Sequence, residues 1–252
     1  MFRQTKQNQA LMTDSLQVSK LLLTTAMNSI LQKKITCHLE SFLTNDRKFL
    51  LHKVLDNRTR HITVVVEDLY QTQNISAVMR SCECVGIQDI HIVEGENDFQ
   101  IHKAIAMGAD KWLTINHYKK ENAPMLTCIN YLKSKGYSIV ATLPDNNSCF
   151  LEDLSLEKPV AFLFGTELTG LSKEAIAAAD QTVKIPMYGF TNSFNISNSV
   201  AIIVSYCIEK LRKLNIHWQL SEEEKHELIF DWVQKSINKP ELLIKRYLEK
   251  TT

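Results

Sequence analysis

The segment VAFLFGTELTG, residues 160–170, joins five apolar residues to a loop with two glycines, two threonines and one glutamate. A short apolar run of this kind predicts a strand that is buried on both faces. Two other segments have the same form: ITVVVE at 62–67 leads towards NISAVMR at 74–80, and QTVKI at 181–185 leads towards NSFNIS at 192–197. Parallel strands end at one edge of a sheet, where ligands bind. The sequence therefore predicts one crevice lined by three loops.

Strands and helices alternate around these segments. Strands are predicted at 62–67, 89–93, 112–116, 137–143, 160–164 and 181–185, and helices at 76–85, 123–135 and 173–179. A long apolar helix is predicted from 198 to 214, and two more helices at 222–236 and 241–249. This alternation predicts the α/β class, with a parallel sheet flanked by helices.

The first 60 residues are predicted to be helical. Residues 1–36 are predicted to form a basic helical or mobile arm, although a mitochondrial presequence has the same composition. Residues 37–60 are predicted to form an N-terminal helix, in which apolar positions from Phe42 to Val54 mark an amphipathic stretch over 39–55. The α/β domain is then expected at 61–214, and C-terminal helices at 215–252.

Charge is distributed unevenly along the 252 residues, although the net charge is only +1. Residues 1–60 carry ten Lys and Arg against four Asp and Glu, a net charge of +6, whereas residues 61–208 carry ten against sixteen, a net charge of −6. A polyanion would therefore be bound by the N-terminal region; a solvated basic helix explains the same counts.

Several classes of protein are disfavoured by the composition. The longest apolar stretches are much shorter than the roughly 20 residues that span a bilayer, so no membrane segment is predicted. Six cysteines without a CxxC pair predict reduced thiols in the cytoplasm and no zinc site. The chain also lacks both GxxxxGK[ST] and a GxGxxG after its first strand, which disfavours a P-loop nucleotidase and an ordinary dinucleotide enzyme.

Three motifs in order along the chain resemble one known family. They are Asn74-x5-Arg80, FGTELTGLS at 164–172, and IPM at 185–187 followed by SFNIS at 193–197. Together they are similar to the motifs of the SpoU family of RNA ribose 2'-O-methyltransferases, within the SPOUT superfamily, over residues 40–236. Within that family the chain most resembles the TrmH-type tRNA guanosine methyltransferases, through EDLY at 67–70 and GADKW at 108–112.

The resemblance implies a fold and an activity. It implies the SPOUT fold, with a C-terminal trefoil knot, in a homodimer that binds S-adenosylmethionine and needs no metal. The expected reaction is methylation of a ribose 2'-hydroxyl in RNA, at a D-loop guanosine of tRNA. Asn192 stands where relatives usually have Gln, and Leu168-Thr169 stands where some have Lys-Trp. These departures bear on the choice of RNA more than on methyl transfer.

The resemblance also implies site residues. The residues expected at the catalytic centre are Arg80, Asn74, Glu167, Ser193 and Asn195, and those expected to bind the cofactor are Thr142, Leu143, Pro144, Gly165, Ile185, Met187 and Phe194. Arg80 is a poor base because the pKa of arginine lies above about 12, but its guanidinium can clamp a phosphate or stabilise an alkoxide. Ser193 and Asn195 can also cap the helix that follows them.

Three alternatives to a tRNA methyltransferase stay open at this point. One is a 23S ribosomal RNA 2'-O-methyltransferase of the same fold. Another is a non-catalytic RNA-binding protein that has kept the fold, although the polar residues of all three motifs are present. The third is an α/β enzyme acting on a small nucleotide.

Overall fold

The computed structural model describes residues 29–120, 123–145, 147–166 and 168–251. The chain forms two compact units: residues up to Asp56 together with Ser221–Thr252, here called the terminal unit, and Asn57–Leu220, here called the sheet unit. Most of the predicted arm, residues 1–28, lies outside the described residues.

Nine α-helices and seven β-strands are found in the described residues. The helices are α1 Ser29–Glu40, α2 Asn45–Leu55, α3 Thr72–Val85, α4 Lys103–Ala106, α5 Pro124–Ser134, α6 Lys173–Ala178, α7 Ile196–Arg212, α8 Glu222–Lys235 and α9 Pro240–Thr251. The strands are β1 Ile62–Glu67, β2 Asp89–Val93, β3 Thr114–Tyr118, β4 Ser138–Thr142, β5 Cys149–Phe150, β6 Val160–Phe164 and β7 Gln181–Lys184.

The seven strands form one sheet in the order β3-β2-β1-β6-β4-β7-β5. Every neighbouring pair is parallel. The carboxyl ends of the strands therefore lie at one edge, and the predicted α/β fold with a parallel sheet is confirmed. Strand β6 lies between β1 and β4, with Val66 opposite Phe164.

Helices cover both faces of the sheet. Val64 and Val66 of β1 pack on the side of α3 and α7, whereas Val65 packs on the side of α5 and α6. This alternation follows from the two-residue period of a strand. A strand buried on both faces is apolar at every position, which explains the continuous apolar runs.

Two sequence predictions within the sheet unit need correction. The third strand begins at Thr114 rather than at residue 112, because Ala109–Lys111 form a 3-10 turn that ends at Trp112. The two-residue edge strand β5 was not predicted, since two residues carry no periodic pattern. The other predicted strands and helices are present, with ends displaced by a few residues.

The terminal unit contains α1, α2, α8 and α9. Trp232 of α8 is almost fully buried, and Ser221 and Glu224 form a capping box at the start of that helix. The single helix predicted over 39–55 is wrong: α1 ends at Glu40, and α2 begins after Thr44, whose hydroxyl accepts a hydrogen bond from the backbone N–H of Arg47.

His91 is an ionisable side chain in the interior of the sheet unit. It lies on β2, is 2% exposed, and its Nδ1 is 3.1 Å from the hydroxyl of Tyr118. Burial lowers the pKa of His91 to about 4. His91 is therefore neutral in the folded protein near pH 7.

No helix in the described ranges has the length and apolar character that crossing a bilayer requires. Within the same ranges, no group of three or more His, Cys, Asp or Glu is arranged to hold a metal ion. Cys82 is buried and Cys84 is exposed, so these two cysteines lie on different faces of α3.

Candidate active site

A cavity of about 450 Å³ lies at the carboxyl ends of β4, β6 and β7. Three chain segments line it, each following one of these strands; the segment after β1, which was predicted to line the same crevice, does not, and the segment after β4 takes its place. All seven residues predicted to bind a cofactor are among the lining residues: Thr142, Leu143, Pro144, Gly165, Ile185, Met187 and Phe194. The volume falls within the range of small-molecule sites, which is roughly 300–1,000 Å³.

The loop that follows β6, residues 165–171, forms one wall of the cavity and is here called the cofactor loop. Its base is closed by two backbone hydrogen bonds, from Thr166 N to Gly170 O (3.2 Å) and from Gly170 N to Thr166 O (3.1 Å). The backbone of Gly165 touches the returning strand of the loop: a Cβ there would lie 2.1 Å from the carbonyl carbon of Gly170. Glycine is therefore required at residue 165 by lack of space.

The segment after β7 forms the opposite wall and leads into α7. Ile185, Met187, Ser193 and Phe194 line the cavity. Asn195 is the N-cap of α7, and its Oδ1 accepts hydrogen bonds from the backbone N–H of Ser197 (2.9 Å) and from the Ser197 hydroxyl (2.6 Å). The amino-terminal end of this 17-residue helix favours the polar or anionic end of a ligand.

Asn74 and Asn195 meet although 121 residues separate them. The Asn195 Nδ2 donates a hydrogen bond to Asn74 Oδ1 at 3.2 Å, and Asn74 Nδ2 donates to Gln71 Oε1 at 3.2 Å. Asn74 is 7% exposed. This chain of amides joins the start of α3 to the start of α7, so the structure brings the first and third motifs together.

The other predicted catalytic residues are placed differently. Ser193 lines the cavity. Arg80 is exposed on α3, is not among the residues lining the cavity, and has no hydrogen bond or ion pair with another described residue. The prediction for Glu167 lies outside the described residues.

The cavity fits a cofactor with a flat aromatic group and a polar end. Leu143, Ile185, Met187 and Phe194 supply apolar surface for the flat group, and the exposed backbone of the loops can hydrogen-bond its edges. Thr142 is committed elsewhere, since its hydroxyl donates to Leu163 O at 2.8 Å. S-adenosylmethionine, with an adenine ring and a charged amino-acid end, matches this set of groups.

Some residues of the site were not found from the sequence. Thr166, Ser199 and Ile203 also line the cavity, and the Glu67 carboxylate accepts a hydrogen bond from Ser172 N at 2.8 Å. A charged residue at the end of an otherwise apolar strand was the available signal for Glu67. Ile203 had no such signal, because it matches the other apolar residues of its helix.

Comparisons with known proteins agree with this geometry. The model of the SpoU rRNA Methylase family matches residues 61–205, more than half of the chain. A tRNA (guanosine(18)-2'-O)-methyltransferase from Borreliella burgdorferi is 45% identical over 190 residues, which are 75% of this chain and 85% of that protein. A protein of the same name from Thermus thermophilus is 29% identical over 76% of this chain and 98% of its own length.

Solved structures give the same result. The A. aeolicus TrmH/SpoU tRNA modifying enzyme superposes with a TM-score of 0.68 at 28% identity, covering 77% of this chain and 98% of that one. The SpoU methyltransferase AviRb from Streptomyces viridochromogenes, solved in complex with AdoMet, has a TM-score of 0.55 at 20% identity and covers 68% of this chain and 66% of that one. The latter likeness concerns the fold.

Proposed function

Because this chain belongs to the SpoU family of RNA methylases, we propose that it transfers the methyl group of S-adenosylmethionine to the 2'-hydroxyl of guanosine 18 in tRNA. The cavity carries this proposal: the seven residues that the family resemblance implies for cofactor binding line one pocket at the carboxyl edge of the sheet. The 45% identical relative, named as an enzyme of this specificity, supports the choice of nucleotide. We propose the cytoplasm as the place of the reaction, which the presence of tRNA there supports.

The bound cofactor supplies an electrophilic methyl group on a sulfonium. The chain must hold that group in line with the ribose oxygen and favour loss of the hydroxyl proton. The two walls of the cavity, the cofactor loop and the segment before α7, set the position of the cofactor. The hydrogen bond between Asn74 and Asn195 fixes the start of α7 next to it.

Arg80 is proposed to act on the substrate. Its guanidinium is exposed and has no partner among the described residues, so it is available to a phosphate. A bidentate pair with a phosphate would position the ribose and stabilise charge that develops on the 2'-oxygen. Since Arg80 does not line the cavity of its own protomer, we propose that it serves the cavity of a partner protomer. Glu167, which the family resemblance implies at the catalytic centre, is proposed to contact the RNA.

A homodimer is supported by apolar surface in the sheet unit. Ile202 and Tyr206 are exposed one turn apart on α7, and Tyr188 and Phe190 are almost fully exposed in the segment before it. Residues 185–208 contain no charged side chain. Exposed apolar surface without charge is typical of an interface between subunits.

A trefoil knot is also proposed for the sheet unit. Its support is the strand order, because β6 lies between the earlier strands β1 and β4, and β7 lies between β4 and β5. We propose the SPOUT domain at 61–214 as the catalytic part of the chain, with residues 1–60 and 215–252 as helical extensions; residues 37–60 contain the end of α1 and the whole of α2 rather than one helix.

The terminal unit offers a surface for RNA. A groove of about 560 Å³ is lined by one face of α1 and by Tyr247 of α9, and Lys33 and Lys34 are its charged residues. His38, in the same groove, stacks on Tyr247 with ring centres 4.6 Å apart. Cations next to stacked rings suit phosphates and unpaired bases. Lys33 is also within electrostatic reach of Glu223.

The test is incubation of the purified protein with S-adenosylmethionine and unmodified tRNA, followed by mapping of 2'-O-methylated nucleotides. We expect one methyl group per tRNA, at guanosine 18, and loss of the product when that nucleotide is 2'-deoxyguanosine. Because the matching family model carries the description of an rRNA methylase, ribosomal RNA is the second substrate to test. Methylation of ribosomal RNA alone would refute the tRNA assignment, and binding of tRNA without methylation would refute the enzymatic one.

A further inference from the structure

Two adjacent carboxylates at the end of β1 each hold a different loop. Glu67 Oε2 accepts a hydrogen bond from the backbone N–H of Ser172 at 2.8 Å, across 105 residues. Asp68 Oδ1 accepts from the backbone N–H groups of Gly95 (3.1 Å) and Asn97 (2.8 Å), in the loop that follows β2. Residues of the first loop line the cavity, and residues of the second do not.

The bond to Glu67 is placed where the cofactor loop ends. The register that sets Val66 opposite Phe164 puts Glu67 level with Gly165, the first residue of the loop. Ser172 immediately follows the loop and is the N-cap of α6, where its hydroxyl accepts from Ala175 N at 3.1 Å. One end of the loop is thus fixed by β6, and the other is fixed by Glu67 through Ser172.

Among the described residues, the tip of the loop is held by bonds within the loop itself, from Thr169 N to Thr166 Oγ1 (3.0 Å) and between the hydroxyls of these two threonines (2.8 Å). Leu168, at the tip, is 98% exposed although it lines the cavity, whereas Leu171 at the base is 6% exposed. The position of this wall therefore depends on its two ends. A carboxylate that accepts a backbone N–H from the far end limits how far the wall can open.

We propose that Glu67 is a positioning residue for the cofactor loop, and that its side-chain oxygen sets the affinity for S-adenosylmethionine by holding Ser172. This role rests on the proposed function, because it assumes that the cavity binds that cofactor. The positioning role requires an acceptor oxygen on a side chain as long as that of glutamate, and it does not require a negative charge.

Three substitutions distinguish the effect of side-chain length at residue 67 from the effect of its negative charge. Glu67→Gln keeps an acceptor oxygen at the same reach, Glu67→Asp keeps the charge on a side chain one methylene shorter, and Glu67→Ala removes both. We expect the Kd for S-adenosylmethionine, measured by calorimetry, to rise about tenfold for the Ala and Asp variants and less than about threefold for Gln. The KM for tRNA should not change in any of them. If the Gln variant binds S-adenosylmethionine as weakly as the Ala variant while the Asp variant binds it normally, negative charge is the requirement and the proposal is wrong.

Asp68→Ala is the matched control, since it removes the neighbouring carboxylate and releases the other loop. We expect it to lower the melting temperature and leave the Kd for S-adenosylmethionine unchanged. An equal loss of affinity in both Ala variants would mean general loosening of the sheet edge and would overturn the proposal. If Glu67→Ala does not fold, the comparison of Gln with Asp decides.

Failure of the inference is distinguishable from failure of the proposed function. A wild-type protein that does not bind S-adenosylmethionine contradicts the function itself. A wild-type protein that binds it, together with a Glu67→Ala variant that binds equally well, contradicts only the role of Glu67.

Discussion

Gly165→Ala is expected to damage the cofactor cavity more than the fold. The new Cβ would lie 2.1 Å from Gly170 C and 2.2 Å from Leu171 N, whereas ordinary van der Waals contact begins near 3.4 Å. All the opposing atoms belong to the backbone, so no side chain can turn away to make room. The returning strand of the cofactor loop must therefore move by about 1 Å, out of the position in which it lines the cavity.

The magnitude follows from the cost of overpacking, which is about 1–3 kcal/mol. If this free energy opposes the loop conformation that binds the cofactor, the Kd for S-adenosylmethionine rises by about 5-fold to 150-fold. The melting temperature should fall too, because the displaced backbone includes Leu171, which is only 6% exposed, but by less than the full cost, since the exposed part of the loop around Leu168 can move outward in the free protein. Calorimetric titration with S-adenosylmethionine and a thermal shift assay measure the two effects separately.

Gly189→Ala is the matched control. Gly189 lies in the segment before α7, and the nearest atom to its added Cβ, Thr191 N, is 4.0 Å away. Neither Gly165 nor Gly189 has a positive φ angle, so the two substitutions differ in space and not in backbone strain. Wild-type affinity in Gly165→Ala would refute the view that the close approach at this position shapes the cavity.

Three other predictions test the site, the RNA surface and the buried histidine. At a cofactor concentration too low to fill the Gly165→Ala cavity, Arg80→Ala and Gly165→Ala proteins mixed after subunit exchange should recover about a quarter of wild-type transfer, because half of the dimers are mixed and one of the two sites in each is complete. No recovery would place both residues in one protomer's site. Changing Lys33 and Lys34 to Glu should raise the KM for tRNA and leave the Kd for the cofactor unchanged. The slope of the logarithm of the tRNA binding constant against the logarithm of salt concentration should become less steep by one to two. Lys235→Glu, outside the groove, is the control, and equal effects of the two changes would exclude a specific surface. The His91→Phe variant should lose less stability than wild type between pH 6.5 and pH 4. The pKa of His91 is lowered from 6.5 to about 4, so as the pH falls this histidine binds a proton in the unfolded chain before it does in the folded protein, which lowers the free energy of unfolding by up to about 3 kcal/mol. An equal loss of unfolding free energy in the two proteins over this pH range would contradict the prediction.

The cofactor cavity was predictable from sequence because its signals are local. Each wall follows an apolar strand, and parallel strands bring their carboxyl ends to one edge. Gly165 and Met187 belong to two of the motifs that the local pattern placed at this edge, whereas Leu143, in the loop after β4, was implied only by the family resemblance. The sheet brings these segments to one edge, and no single motif specifies that they meet.

Other features depend on contacts that the sequence does not record. The apolar residues at 39–55 suggested one amphipathic helix, yet Phe49 is 70% exposed and Thr44 starts a new helix, because a threonine cap outweighs a loose apolar pattern. The bond from Glu67 to Ser172 spans 105 residues. This hydrogen bond forms because β6 lies beside β1. The alternation of residues within one strand does not specify which strand becomes its neighbour.

The central place of β6 has a consequence during translation. Strand β1 ends at Glu67 and its neighbour β6 begins at Val160, so about 90 residues must be synthesised before the two can pair. At about 5–20 residues per second, the corresponding edge of β1 stays open for roughly 5–20 seconds on the ribosome. An open apolar strand edge recruits other chains, and nascent copies on one polysome are close together. Chaperones that shield this edge should therefore raise the yield of native protein.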